Sequence, residues 1–256
     1  MAANVPDVST LAALQDTLTR LHDPRRPGRE YLALGPIEIH SRLGGPGVPC
    51  GALHEVMAAL YGDRPAALGF VLALIALALS RRFGLAMLVM TRRTLAAFGR
   101  PYGCGLRQLG VESRSLILIE AGSDKEALWA MEEILRSQAN PALVAGAIEG
   151  ELDGTGSRRL NLAAARSGAP LVLLRAGTAS GSSAATTRWS IGSAPARRDR
   201  FGAMLHMRWR ATLQRCRTGR PGEWVIEWDH VAHSFRLVEG MADRPSAAVA
   251  EFRRAG

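Results

Sequence analysis

Apolar residues follow two different rhythms along this chain, and the change from one to the other falls near residue 188. Before it, short apolar runs of strand length alternate with segments of helical period. The runs are 52–58 (ALHEVMA), 85–90 (LAMLVM), 115–120 (SLILIE), 141–148 and 171–174 (LVLL). Runs this apolar belong to strands buried on both faces. Between them lie an apolar helix over 66–80, a helix or loop over 92–109, and a helix over 123–137. That last helix opens on a capping box, Ser123 with Glu126 three residues on. Its apolar stripe is Ala127, Leu128, Met131, Ile134 and Leu135, with Trp129 at the stripe's edge and assigned to core packing. A further helix over 157–167 is stopped by Gly168. Strands and helices in this alternation predict βαβ crossovers and a parallel sheet covered on both faces.

Beyond residue 188 the period becomes two. Met207, Trp209, Ala211 and Leu213 alternate with Arg208, Arg210, Thr212 and Gln214, which predicts a half-buried strand. With 223–229 (EWVIEWD) and 234–238 (SFRLV) it forms an antiparallel meander over about 188–240. Upstream, Leu11, Leu14, Leu18 and Leu21 have helical spacing after a Ser9–Thr10 start, and residues 37–39 read as a short strand. The expected organisation is an N-terminal helix and linker over 1–30, an α/β domain over 31–240 that includes the meander, and a mobile tail over 241–256.

Composition narrows the class. Hydrophobic residues at 47% and charged residues at 21% exclude a disordered chain. The longest uncharged stretch, 66–80, is closed by Arg64 and by Arg81–Arg82, and it is too short to span a bilayer. Core packing is the expectation, with no membrane association. There is no secretory signal pattern, and Cys50, Cys104 and Cys216 are odd in number and far apart. Both features predict a reducing cytoplasm. The six His residues show no metal-ligand spacing.

The formal net charge of +9 is carried almost wholly by Arg, since Lys125 is the sole lysine. From Arg188 to Arg220 there are nine Arg and one acid, Asp199, so +8 of the +9 lies in that segment. Compositional drift would spread the excess, so its concentration points to a functional basic surface for DNA or an acidic partner. Arg208 and Arg210 share one strand face; Arg215 and Arg217 have the opposite parity and fall on the other face or on the turn with Arg220. Four tryptophans lie nearby. They either stack with bases or fill the core of the meander, and core is the reading for Trp209.

A strand–loop–helix over 52–66 is where a phosphate-binding loop would stand. Such a loop needs glycines, a Lys for the outer phosphates and a Ser or Thr for Mg²⁺. Here the two glycine positions are Ala58 and Asp63; Gly62 precedes the second, Arg64 replaces Lys, and Pro65 replaces Ser/Thr. A metal-holding Asp would end the 141–148 strand, which instead has Gly146, with Glu149 and Glu151 late; a water-activating carboxylate would follow 85–90, where the chain reads Thr91-Arg92-Arg93. Nucleotide hydrolysis is not expected, and no catalytic residue, metal or cofactor is assigned.

GALHEV (51–56) with the loop and apolar helix that follow it, RPYGCGLRQLGV (100–111) and DKEALWAMEEILR (124–136) resemble the RecA-type ATPase core. With SRRLNLAAARSGAPLVLLR (157–175), TRWSI (187–191) and CRTGRPGEWVIEWD (216–229), the chain over roughly 30–240 is similar more closely to the ImuA family, RecA-like proteins without a working ATP site. That resemblance implies a non-catalytic accessory of DNA-damage-induced mutagenesis. Its partners would be an ImuB-like protein and a DnaE-type error-prone polymerase, with RecA and single-stranded DNA as further candidates. A DNA-dependent ATPase with an aberrant loop, or a SulA-like inhibitor of RecA or of cell division, stand as alternatives.

Overall fold

The computed structural model describes residues 30–137, 139–175, 183–198, 200–202 and 204–238. The expected N-terminal helix and C-terminal tail lie outside them.

A nine-stranded sheet organises the molecule. Its parallel part comprises β3 (Leu53–Ala58), β4 (Ala86–Thr91), β5 (Leu116–Ala121), β6 (Leu143–Ile148), β7 (Leu171–Arg175) and β8 (Thr187–Ser193). An antiparallel ribbon of β11 (Arg208–Cys216), β12 (Gly222–Asp229) and β13 (Ser234–Leu237) continues it, in the order β13-β12-β11-β8-β3-β7-β6-β4-β5. Two small antiparallel pairs lie outside this sheet: β1 (Tyr31–Leu32) with β2 (Val48–Pro49), and β9 (Arg197–Arg198) with β10 (Met204–His206). The architecture is the α/β one expected, with a large, mostly parallel sheet and a smaller antiparallel region.

Helices cover both faces. On one side lie α1 (Ile37–Leu43), α2 (Arg64–Arg81), α3 (Arg92–Phe98) and α4 (Gly103–Leu109); on the other lie α5 (Asp124–Arg136) and α6 (Gly154–Ser167). The α2 helix is long and apolar enough to cross a membrane by composition, but Phe70, Val71, Leu74, Ile75 and Leu77 are buried against the sheet. Its first turn tolerates Pro65, because the amides there have no intrahelical partner to lose. Half of the capping box is present, since Ser123 Oγ accepts from Glu126 N, while the Glu126 carboxylate reaches back one residue further than the box requires, to Gly122 N.

Two sequence expectations are corrected. Residues 37–39 are helical, not extended. Ile39 and Leu43 need a four-residue spacing to share one buried face, and Gly44 closes the turn at φ 72°. Trp129 is 59% exposed. Ala127, Met131 and Leu135 set the buried direction of α5, and Trp129 stands two residues, about 200°, from Ala127. Trp209 is core as expected. So are Trp189 and Trp228, all on the α2 side of the sheet.

Candidate functional site

The β3–α2 junction is short: strand, then residues 59–60, then a single 3-10 turn (Tyr61–Asp63) running into the helix. Ala59 N donates to Ile191 O at 2.9 Å, which ties the loop to the end of β8. The Asp63 side chain is buried and folds back over this loop. Its Oδ1 accepts from Ser193 Oγ at 2.6 Å and Ser193 N at 2.9 Å, and its Oδ2 accepts from Leu60 N at 3.2 Å. One backbone donor of this loop, Leu60 N, is engaged by the chain's own carboxylate, which lies at the positive end of an 18-residue helix. The Ser193 hydroxyl and amide hold the Asp63 carboxyl below its ordinary value, with Leu60 N and Arg210 adding to that.

The sign for stability follows. A lowered folded-state value means the carboxylate stabilises above the ordinary value of about 3.9, and the gain is lost as pH falls through the folded-state value. Asp63→Asn should therefore be less stable than the parent by about 1–2 kcal/mol at neutral pH. The difference should close below about pH 4 in urea unfolding. A gap independent of pH would rule out the charge as its source.

Arg64 does not turn toward that loop. Its guanidinium carbon lies 5.2 Å from the Tyr61 ring centroid and 5.0 Å from that of Phe98, and Nη2 donates to Glu149 Oε1 at 2.9 Å. Arg93 Nε stands 3.6 Å from the other oxygen of Glu149. Glu120, at the end of β5, is bridged by Arg92 (3.5 Å) and by Arg100. The carboxyl edge of the parallel strands is thus laced by Arg–Glu–Arg bridges. Gly146 has its own reason to lack a side chain: a Cβ there would run into Met131 Sδ of α5. Among the described residues, no three His, Cys, Asp or Glu side chains gather to hold a metal ion.

The basic segment does not form one patch. Arg208 is half-buried and paired with Glu227 at 2.9 Å, so it offers less to a basic surface than its place on the Arg210 face implies. Arg210 is exposed, with Glu223 at 3.6 Å. Both lie at the end of β11 level with Ser193 and Gly192, beside the Asp63 loop. Arg215 lies toward the other end of this nine-residue strand and Arg217 just beyond it, roughly 17–30 Å along the chain direction from the first pair. Parity misleads here, because the β8–β11 register shifts between Leu213 and Arg215. Leu213 and Cys216 both pack on the α2 side, so Arg215 returns to the Arg208 face. Its guanidinium donates to the carbonyls of Ser183 (2.6 Å) and Ala185 (3.0 Å). Burial, then Arg215 and Arg158, hold Arg217 below the ordinary guanidinium value. Arg220 is exposed beside Arg42, in a concavity formed with Ser41, Gly44, Thr218 and Gly219. The tryptophans lie on the opposite face from Arg208 and Arg210, so they cannot stack with bases there.

Sequence reading missed a buried triad. Glu55, in the middle of β3, accepts from Arg188 Nε at 2.8 Å and has Arg175 Nη1 at 3.7 Å. The available signal was a carboxylate in a short strand whose other residues, His54 apart, are apolar.

Fold and site together define an α/β protein with a doubly covered, mostly parallel sheet, whose strand–helix junction is filled by its own side chains. No protein-family model matches the chain. It is 36% identical over 242 residues to Protein ImuA of Caulobacter vibrioides, covering 88% of this chain and 96% of that protein; the protein from a second strain of the species matches equally. The chain belongs to the ImuA family.

Proposed function

We propose that this protein is a non-catalytic, RecA-like accessory of DNA-damage-induced error-prone translesion synthesis, joining an ImuB-like protein to a DnaE-type error-prone polymerase. Membership of the ImuA family supports a role in the ImuA–ImuB mutagenesis cassette. The observation that carries the non-catalytic part is the buried Asp63, a carboxylate in the strand–helix loop that takes the Leu60 amide there and the Ser193 amide of β8. Arg64 is committed to Glu149, and Arg92 and Arg93 stand where a carboxylate would activate water. Hydrolysis needs a Mg²⁺ holder and a positioned water, and among the described residues of this edge Glu149 and Glu120 are each held by two arginines. The exposed cations Arg210, Arg217 and Arg220, with Arg208 and Arg215 behind them, are proposed to contact DNA or an acidic surface of a partner. RecA is a further candidate partner.

Steady-state phosphate release, with and without single-stranded DNA, should stay at the no-enzyme background. DNA-stimulated release that disappears in Arg64→Ala would overturn the non-catalytic reading in favour of an ATPase.

A further inference from the structure

The proposed function puts the protein at damaged DNA and offers the cations of residues 208–220 to DNA or to an acidic partner. The carboxyl edge of the parallel strands has features the function has not absorbed. Consecutive connections leave it on opposite faces. The chain after β4 runs into α3 on the α2 side, whereas the chain after the neighbouring β6 runs into α6 on the other side. Such a divergence opens a crevice at the strand ends, where ligands of open α/β sheets bind. The Glu149–Arg93 bridge lies in this crevice.

Along its rim, planar rings and guanidiniums are laid out to solvent. Tyr61 is 82% exposed and Tyr102 74%. The Arg92 and Arg93 side chains are 78% and 79% exposed, and Arg100 is also exposed. A soluble surface does not need two open tyrosines flanking a row of arginines. Phe83, Trp129 and Phe201 are exposed elsewhere, but none of them stands beside a row of bridged arginines of this kind, and Phe70, Trp189, Trp209, Trp228 and Phe235 pack against one another in the core. The acids of this edge are already engaged. Glu149 and Glu120 are each bridged by two Arg, Asp124 accepts from Gly150 N, and Asp153 caps α6. Asp124 and Asp153 keep their negative charges, so the positive surplus is confined to the bridges themselves, where four arginines meet two glutamates.

We propose that this rim, from Tyr61 through Arg93 and Arg92 to Tyr102, is a binding track for single-stranded nucleic acid. Bases stack on Tyr102 and on the face of Tyr61 turned away from Arg64, and the exposed guanidiniums meet the phosphates. Every base has a face to offer an open ring, so such a track is sequence-tolerant. A duplex is excluded, because its base faces are already stacked. An acidic protein segment would be drawn by the same charge, but its anchors need enclosing pockets rather than open rings. The track is distinct from the Arg215–Arg217 end of β11. It deepens the proposed function and rests on it only for the presence of single-stranded DNA.

The test is fluorescence anisotropy of a labelled single-stranded oligonucleotide with the full chain at several salt concentrations. Thermal melting should first show each variant folded. Tyr61→Ala with Tyr102→Ala should weaken binding by about tenfold or more and leave the salt slope unchanged. Arg92→Gln with Arg93→Gln should lower the log–log salt slope by about 0.7 per lost phosphate contact. Arg166→Gln, on the exposed side of α6, is the control that should leave both quantities as they were; Arg217→Gln with Arg220→Gln tests the other basic site. Four results would overturn the proposal. The first is unchanged affinity in both rim variants. The second is loss confined to the Arg217/Arg220 variant. The third is loss by the rim variants of ImuB-like protein binding alone, which would make the rim a protein surface. The fourth is no binding by the parent at low salt; if the parent still retains the ImuB-like protein, the adaptor function stands without the track.

Discussion

Glu55→Ala should destabilise the protein by about 3–5 kcal/mol. The carboxylate is fully buried between Arg188 and Arg175, whose side chains are themselves largely buried. Removing it leaves two guanidiniums near one another in a low-dielectric interior, and that desolvation is not recovered elsewhere. Glu55→Gln keeps the volume and one acceptor for Arg188, so its loss should be smaller. Replacing such a cluster wholesale by apolar residues can be neutral, so the effect measures the stranded charges and not the worth of the triad. Chemical denaturation of the two variants checks this. An unchanged midpoint in Glu55→Ala would contradict the burial of the triad.

Trp209→Ala should cost a similar amount, about 3–5 kcal/mol. That corresponds to a melting temperature lowered by roughly 10 °C in a chain of this size. Trp209 meets Phe70 and Phe235 edge-on, with centroids 6.0 and 6.1 Å away, and its indole N–H donates to Ala66 O of α2 at 2.8 Å. The substitution thus removes packing between the ribbon and α2 together with a buried hydrogen bond. Trp129→Ala is the contrast. On the exposed side of α5 it should change stability by no more than about 0.5 kcal/mol. Equal losses in the two variants, measured by thermal melting, would show that the exposed position of Trp129 is wrong.

The parallel strands were legible because a strand covered on both faces must be apolar throughout, and LAMLVM or LVLL has few other homes. The capped α5 was legible because Ser123 and Glu126 satisfy amides locally, whatever the rest of the fold does. Residues 37–39 misled because three residues with two isoleucines carry no period. The Pro36 entry, the Ile39–Leu43 spacing and the Gly44 exit decide for helix only when taken together. The Arg face of β11 was half legible. Alternation placed Arg208 and Arg210, but a register shift after Leu213 moved Arg215, and nothing in RATLQRC marks it. The absence of a phosphate-loop pattern was visible in Asp63 and Pro65. That Asp63 would reach Ser193, 130 residues away, depends on β8 pairing beside β3, which no local pattern specifies. The pairing of Glu55 with Arg188 and Arg175 depends on the same neighbourhood.

Retention of a purified ImuB-like protein by the immobilised chain, with and without ATP and Mg²⁺, tests the adaptor role most directly. An accessory whose strand–helix junction is filled by Asp63 should hold its partner equally well in both conditions. It should do so in Arg64→Ala as well. No retention in either condition, or retention that appears only with hydrolysable ATP, would contradict a non-catalytic adaptor.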